Sequence, residues 1–183
     1  MFHAKRYFWV PILLFFLMLL DGVFASVFSV WLIEPGYILV PRLTVIGLVL
    51  ISFLVNMPSL WWVSIIIGLM YDSYFSGILG IYLCIFPCIV SIIRRFKNNI
   101  RINAFTMGLS IIVFITFVEA AVFIFYMFLG KAHMDWQTFL VRRLNPTLVL
   151  NIVLYYISYI PLKSLASWIS EEPRRSRHSL LRK

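Results

Sequence analysis

A chain of 183 residues that is 62% hydrophobic and only 13% charged would expose too much apolar surface as a soluble domain. Its long apolar runs recur from end to end, which marks a polytopic helical membrane protein, and they lack the polar/apolar alternation of a β-barrel. The net charge of +9 gathers at the ends of those runs, so membrane topology accounts for it and nucleic-acid binding is not needed to explain it.

The first predicted span runs from about Phe8 to Trp31. It is too long for a cleaved signal peptide and has no convincing small-residue cleavage site. Asp21 lies deep within it, where an ionised carboxylate is costly. It is either a polar contact to a partner helix or ligand, or a neutral or paired acid inside the bundle. Gly22, Ala25, Ser26 and Ser29 form a small-residue stripe at helical spacing, the kind of surface through which helices approach closely in lipid. The stripe packs within the bundle or docks another membrane protein.

The second span covers about Tyr37 to Val55, with Arg42 snorkelling from its start. The third, about Ser59 to Tyr71, is short for a span of roughly 20 residues and must be tilted or sheltered by its neighbours. A turn follows in the segment GLMYDSYFSGILG, Gly68 to Gly80. Gly77 and Gly80 permit a tight reversal, and Asp72 either caps the fourth span or ends the third in water.

The fourth span, about Ile78 to Ile93, contains Pro87 as a kink. Its cysteines, Cys84 and Cys88, read as small packing residues, since they form no CxxC pair and no histidine lies near them. The fifth span, about Ala104 to Leu129, holds Glu119 near its middle between apolar residues and alanines. This is a buried acid hydrogen-bonded to Asn, Ser or Tyr, or one member of a proton relay whose second acid the sequence does not show. Arg142 and Arg143 then fall in the longest outer loop, opposed only by Asp135. The sixth span, about Pro146 to Leu162, starts at its proline, and Asn145 and Asn151 are buried polar candidates. Tryptophans 31, 61, 62, 136 and 168 lie near span ends as an aromatic belt.

Three basic clusters set the topology. Lys5 and Arg6 precede span one; Arg94, Arg95, Lys97 and Arg101 follow span four; Lys163 and the arginine-rich tail follow span six. Even numbers of crossings between them place all three, and both termini, in the cytoplasm. Residues 1–165 are then a six-span all-α membrane domain. Residues 166–183 are a basic tail that meets anionic lipid, with about 1 kcal/mol gained per basic residue near the surface. No stretch matches a phosphate-binding loop, a zinc-protease helix or a nucleophile elbow, so no catalytic residue, metal or cofactor is expected.

The order of these features resembles a known family. A GLxxD turn as Gly68-Leu69-Met70-Tyr71-Asp72, a GxLG as Gly77-Ile78-Leu79-Gly80, a proline-bearing span ending at Arg94-Arg95, the Asn145-Pro146-Thr147 to Asn151 segment and a basic tail together look like the MreD family of rod shape-determining membrane proteins. The resemblance is sharpest between Gly68 and Arg95. It implies a non-enzymatic component of the bacterial cell-elongation machinery in the cytoplasmic membrane. The implied partners are an MreC-like bitopic protein and the elongation peptidoglycan synthases. It also implies a six-helix fold similar to the substrate-binding subunits of energy-coupling-factor transporters, and no family catalytic residues. That fold, with Asp21 and Glu119, keeps open a second reading as the substrate-binding subunit of a vitamin-type transporter.

Overall fold

The computed structural model describes residues 7–34, 36–99, 102–131 and 134–170. Lys5, Arg6, Arg101 and the arginines of the basic tail lie outside them. Among the described residues, six helices of twelve residues or more make up the molecule: α1 (Trp9–Val27), α2 (Leu43–Leu54), α3 (Leu60–Tyr71), α4 (Ile81–Phe96), α5 (Ala104–Phe128) and α6 (Asn145–Ser170). A two-residue hairpin, β1 (Ile33–Glu34) against β2 (Tyr37–Ile38), joins α1 to α2, with Ile33 opposite Ile38. The all-α architecture therefore holds apart from this clip.

The sequence LTVIGLVLISFL is apolar on every side, and such a helix belongs in the interior. Every α2 residue from Leu43 to Phe53 is buried, and α1, α4, α5 and α6 all pack against it. At twelve residues α2 is about 18 Å long, well short of a hydrocarbon core of roughly 30 Å. Its neighbours shelter it. The second span is thus shorter than the reading from Tyr37, because Tyr37 and Ile38 belong to the hairpin and residues 39–42 are not helical, and this segment supplies polar backbone to the site described below.

Among the described residues, three helical stretches are long and apolar enough to cross a membrane: Trp9–Val27, Ala104–Phe128 and the run Trp136–Ile169. The last corrects two expectations. Helix begins at Trp136 rather than at Pro146, and it continues to Ser170, beyond Leu162. Pro146 has no N–H to close a normal turn, and the turn before it, Leu140–Leu144, is widened to a π-helix. Arg142 and Arg143 consequently sit on a helical turn, not in an open loop.

Helices α3 and α4 meet at Gly68. A Cβ there would lie 2.6 Å from the Tyr82 carbonyl oxygen and 2.9 Å from Leu83 Cα, so only hydrogen lets the two backbones come this close. The chain leaves α3 through a π-turn, Asp72–Ser76, closed by Gly77 N–H donating to the Asp72 carbonyl at 3.0 Å. Gly77 has φ +64°, the left-handed conformation that glycine adopts without strain. At the opposite end of the bundle, the Arg94 guanidinium donates to the carbonyls of Met57 and Pro58 and ties the end of α4 to the α2–α3 turn.

Candidate functional site

The polar groups of the apolar runs converge at one end of the bundle, at the C-terminal ends of α1, α3 and α5 and the N-terminal ends of α2, α4 and α6. The helices therefore alternate in direction, and this end is opposite Arg94.

Asp21 is buried at the start of α2. Its carboxylate accepts from Leu43 N–H at 2.6 Å, Thr44 N–H at 3.0 Å and the Thr44 hydroxyl at 2.7 Å. Helix termini leave N–H groups without partners, and a carboxylate satisfies them and complements the helix dipole. Here the cap comes from another helix. Asp72 is fully buried and does the same for α4, accepting from Gly80, Tyr82 and Leu83 N–H at 2.8, 2.9 and 3.1 Å. Of its two alternatives, capping the fourth span is the one present.

Glu119 is fully buried. Its partners are not Asn, Ser or Tyr but two arginines: Arg42 at 2.6 Å from Oε1 and Arg143 at 3.0 Å from Oε2. The snorkelling expected of Arg42 is wrong, since the residue is only 4% exposed. A guanidinium at this depth needs a counter-charge and filled donors. Glu119 provides the first, and Nη1 donates to the Tyr71 hydroxyl at 3.0 Å. The faces of Tyr82 and Tyr71 lie 5.4 and 6.0 Å from Arg42 Cζ, within cation–π range.

Asn151 fastens the segment before α2 to α6. It accepts from Arg42 N–H and donates to the carbonyls of Val40 and Thr147, each at 2.8 Å. Thr147 accepts from Val40 N–H at 3.2 Å. Asn145, by contrast, is exposed and outside this network, so it is not a buried polar residue. The α1 stripe divides. Gly22 packs against Phe75, Ser29 is half-buried, and Ala25 and Ser26 are exposed, with the Ser26 hydroxyl donating back to the Gly22 carbonyl.

Around these groups lies a cavity of about 530 Å³, lined by Arg42, Lys131 and Arg143, by Asp21 and Ala25, and by an aromatic wall that includes Tyr71, Tyr82 and Phe123. Among the described residues every buried side-chain nitrogen and oxygen has a hydrogen-bond partner, and no three His, Cys, Asp or Glu side chains come together as a metal site. Sequence reasoning named Asp21, Asp72, Glu119 and Asn151 but missed Arg42, Arg143, Tyr71 and Tyr82. The available signal was charge: a buried acid in a span needs a cation, and Arg42 and Arg143 were two of the four basic residues left on the outer side, with Lys131 and Arg142.

The family described as rod shape-determining protein MreD matches residues 3–168. The Rod shape-determining protein MreD of Bacillus subtilis (strain 168) is 22% identical over 167 residues, covering 91% of this chain and 97% of that protein. The Cell shape-determining protein MreD of Streptococcus pneumoniae (strain ATCC BAA-255 / R6) is 28% identical over 88 residues, 48% of this chain and 54% of the relative. No solved structure matches.

Proposed function

Because the chain belongs to the MreD family of rod shape-determining proteins, we propose that it is a non-enzymatic membrane component of the cell-elongation machinery, one that binds an MreC-like bitopic protein and supports the peptidoglycan synthases of the side wall. The family match over residues 3–168 carries this reading. The site agrees with it. The carboxylates cap helices and neutralise arginines, and these are structural tasks. We place the protein in the bacterial cytoplasmic membrane with both termini cytoplasmic. The six helices form a bundle of the kind found in energy-coupling-factor substrate-binding subunits. The exposed α1 face at Ala25 and Ser26 is a candidate contact for the partner helix, and the basic tail meets anionic lipid.

The test is affinity purification of the tagged protein in mild detergent with mass spectrometry of what remains bound, together with depletion in cells. Recovery of an MreC-like protein or an elongation synthase, with altered cell width on depletion, is the expected result. Unchanged width and no such partner would overturn the proposal. One observation favours a second reading, a vitamin-type transporter subunit, namely the cavity at the outer end. Recovery of an ATPase and a coupling membrane subunit would select it.

A further inference from the structure

The cavity at the Arg42 end of the bundle is larger than the helix-capping network needs. We propose that it binds an anionic amphiphile, a molecule with a phosphate or carboxylate head on an apolar body, and this holds whether or not the shape-determining reading does. The head is assigned from charge. Three cations, Arg42, Lys131 and Arg143, border the cavity, against one carboxylate in its lining, Asp21. Asp21 is turned onto the amides of α2, and Glu119 is fully buried between Arg42 and Arg143. The lining itself therefore carries an excess of positive charge.

Donor geometry points the same way. Among the described residues, the Arg143 guanidinium donates only from Nε, to Glu119. Its two terminal NH₂ groups form the fork that matches a carboxylate or phosphate. Arg42 is held rigidly beneath by Glu119, Tyr71 and two aromatic faces, so no reorganisation is needed to present its charge. Lys131 stands exposed at the rim, where a flexible cation can close over a head group.

The body is assigned from volume and lining. About 530 Å³ lies in the range of small-molecule sites, roughly 300–1,000 Å³, and far exceeds what a lone phosphate fills. Phe75, Val122, Phe123 and Met134 are among the other lining residues, and they offer a surface suited to hydrocarbon or rings. A lipid head with part of its chain and a soluble aromatic acid share this chemistry, and the experiment separates them.

The full-length protein in dodecyl maltoside is titrated with dodecyl phosphate, with inorganic phosphate and with benzoate. Tryptophan fluorescence is the readout, because Trp136 packs 5.6 Å from Phe123 of the cavity wall. Saturable binding of dodecyl phosphate at least tenfold tighter than inorganic phosphate is expected. Lys131→Gln/Arg143→Gln should weaken it about tenfold or more. Ala25→Trp, which fills the cavity without removing a cation, should abolish it. Tighter binding of benzoate than of dodecyl phosphate would reassign the body to a soluble acid and overturn the lipid-like form. Equal affinity in wild type and Ala25→Trp, or no saturable response to any probe, would overturn the site. Should the double variant fail to fold, Lys131→Gln and Ala25→Trp decide between these outcomes.

Discussion

Arg42 and Glu119, separated by 77 positions in the chain, meet at 2.6 Å with side chains 4% and 0% exposed. A buried pair of this kind adds little beyond a well-packed apolar substitute, but removing one partner strands the other charge and costs about 3–5 kcal/mol. Glu119→Gln strands two guanidiniums. It is expected to lower unfolding free energy in detergent by that amount, and Arg143→Gln, on the 28%-exposed partner, by about 1 kcal/mol or less. Arg42→Met/Glu119→Leu should recover most of the loss. Equal Tm shifts for Glu119→Gln and Arg143→Gln would refute the ranking.

Asp72 accepts three backbone N–H groups at the start of α4. Asn in its place turns an amide NH₂ toward a donor cluster, and Ala leaves those donors buried without partners, at about 1–3 kcal/mol for an unsatisfied group. Asp72→Ala is therefore expected to destabilise by at least 2 kcal/mol (~2–4, from the same per-group cost), with Asp72→Asn between it and wild type. Ser73→Ala, on an exposed neighbour whose hydroxyl bonds to Leu69 O, should stay within about 0.5 kcal/mol. Amide hydrogen exchange at Tyr82 and Leu83 checks the mechanism directly, and unchanged protection in Asp72→Ala would sink it.

How much of this was legible from the sequence depends on the range of the interaction. Apolar runs gave six helices, and GLMYDSYFSGILG gave a glycine turn with a capping acid, because Asp72 and its donors lie within eleven residues of one another. The Arg42–Glu119 pair and the capping of α2 by Asp21 span 77 and 22 residues, and periodicity carries no signal across that distance. Pro146 misled for a different reason. Proline favours both a helix start and a widened turn inside a helix, and packing of Phe139 and Leu144 against Phe123 decided for the second.

The alternation of helix direction places Lys131 at the cavity end and Asn98, in the turn after α4, at the Arg94 end. On the proposed topology, with both termini cytoplasmic, the cavity would open outward. In a background of Cys84→Ala and Cys88→Ala, which removes the free thiols, Lys131→Cys should react with a membrane-impermeant maleimide in intact cells. Asn98→Cys should react only after lysis. The reverse pattern would invert the topology, and labelling of both sites in intact cells would break the even crossing count.

Gly68 gives the sharpest packing test. A methyl group there meets Tyr82 O at 2.6 Å and the Leu83 backbone at 2.9 Å, atoms that cannot move without shifting α4. At Gly108 the nearest atom is Tyr155 Cε1 at 3.1 Å, a ring edge that can yield by a few tenths of an ångström. Gly68→Ala is thus expected to cost about 1–3 kcal/mol through overpacking, despite the better helix propensity of alanine. Gly108→Ala should be near neutral. The displacement at Gly68 also acts on the site, since Tyr71 lies one turn later on α3 and Tyr82 lies on the helix pushed away, and both rings flank Arg42. Gly68→Ala should therefore weaken dodecyl phosphate binding as well as stability, whereas Gly108→Ala should leave binding unchanged. Stability and binding that respond alike in the two variants would show that the close approach of α3 and α4 does not set the geometry of the arginine.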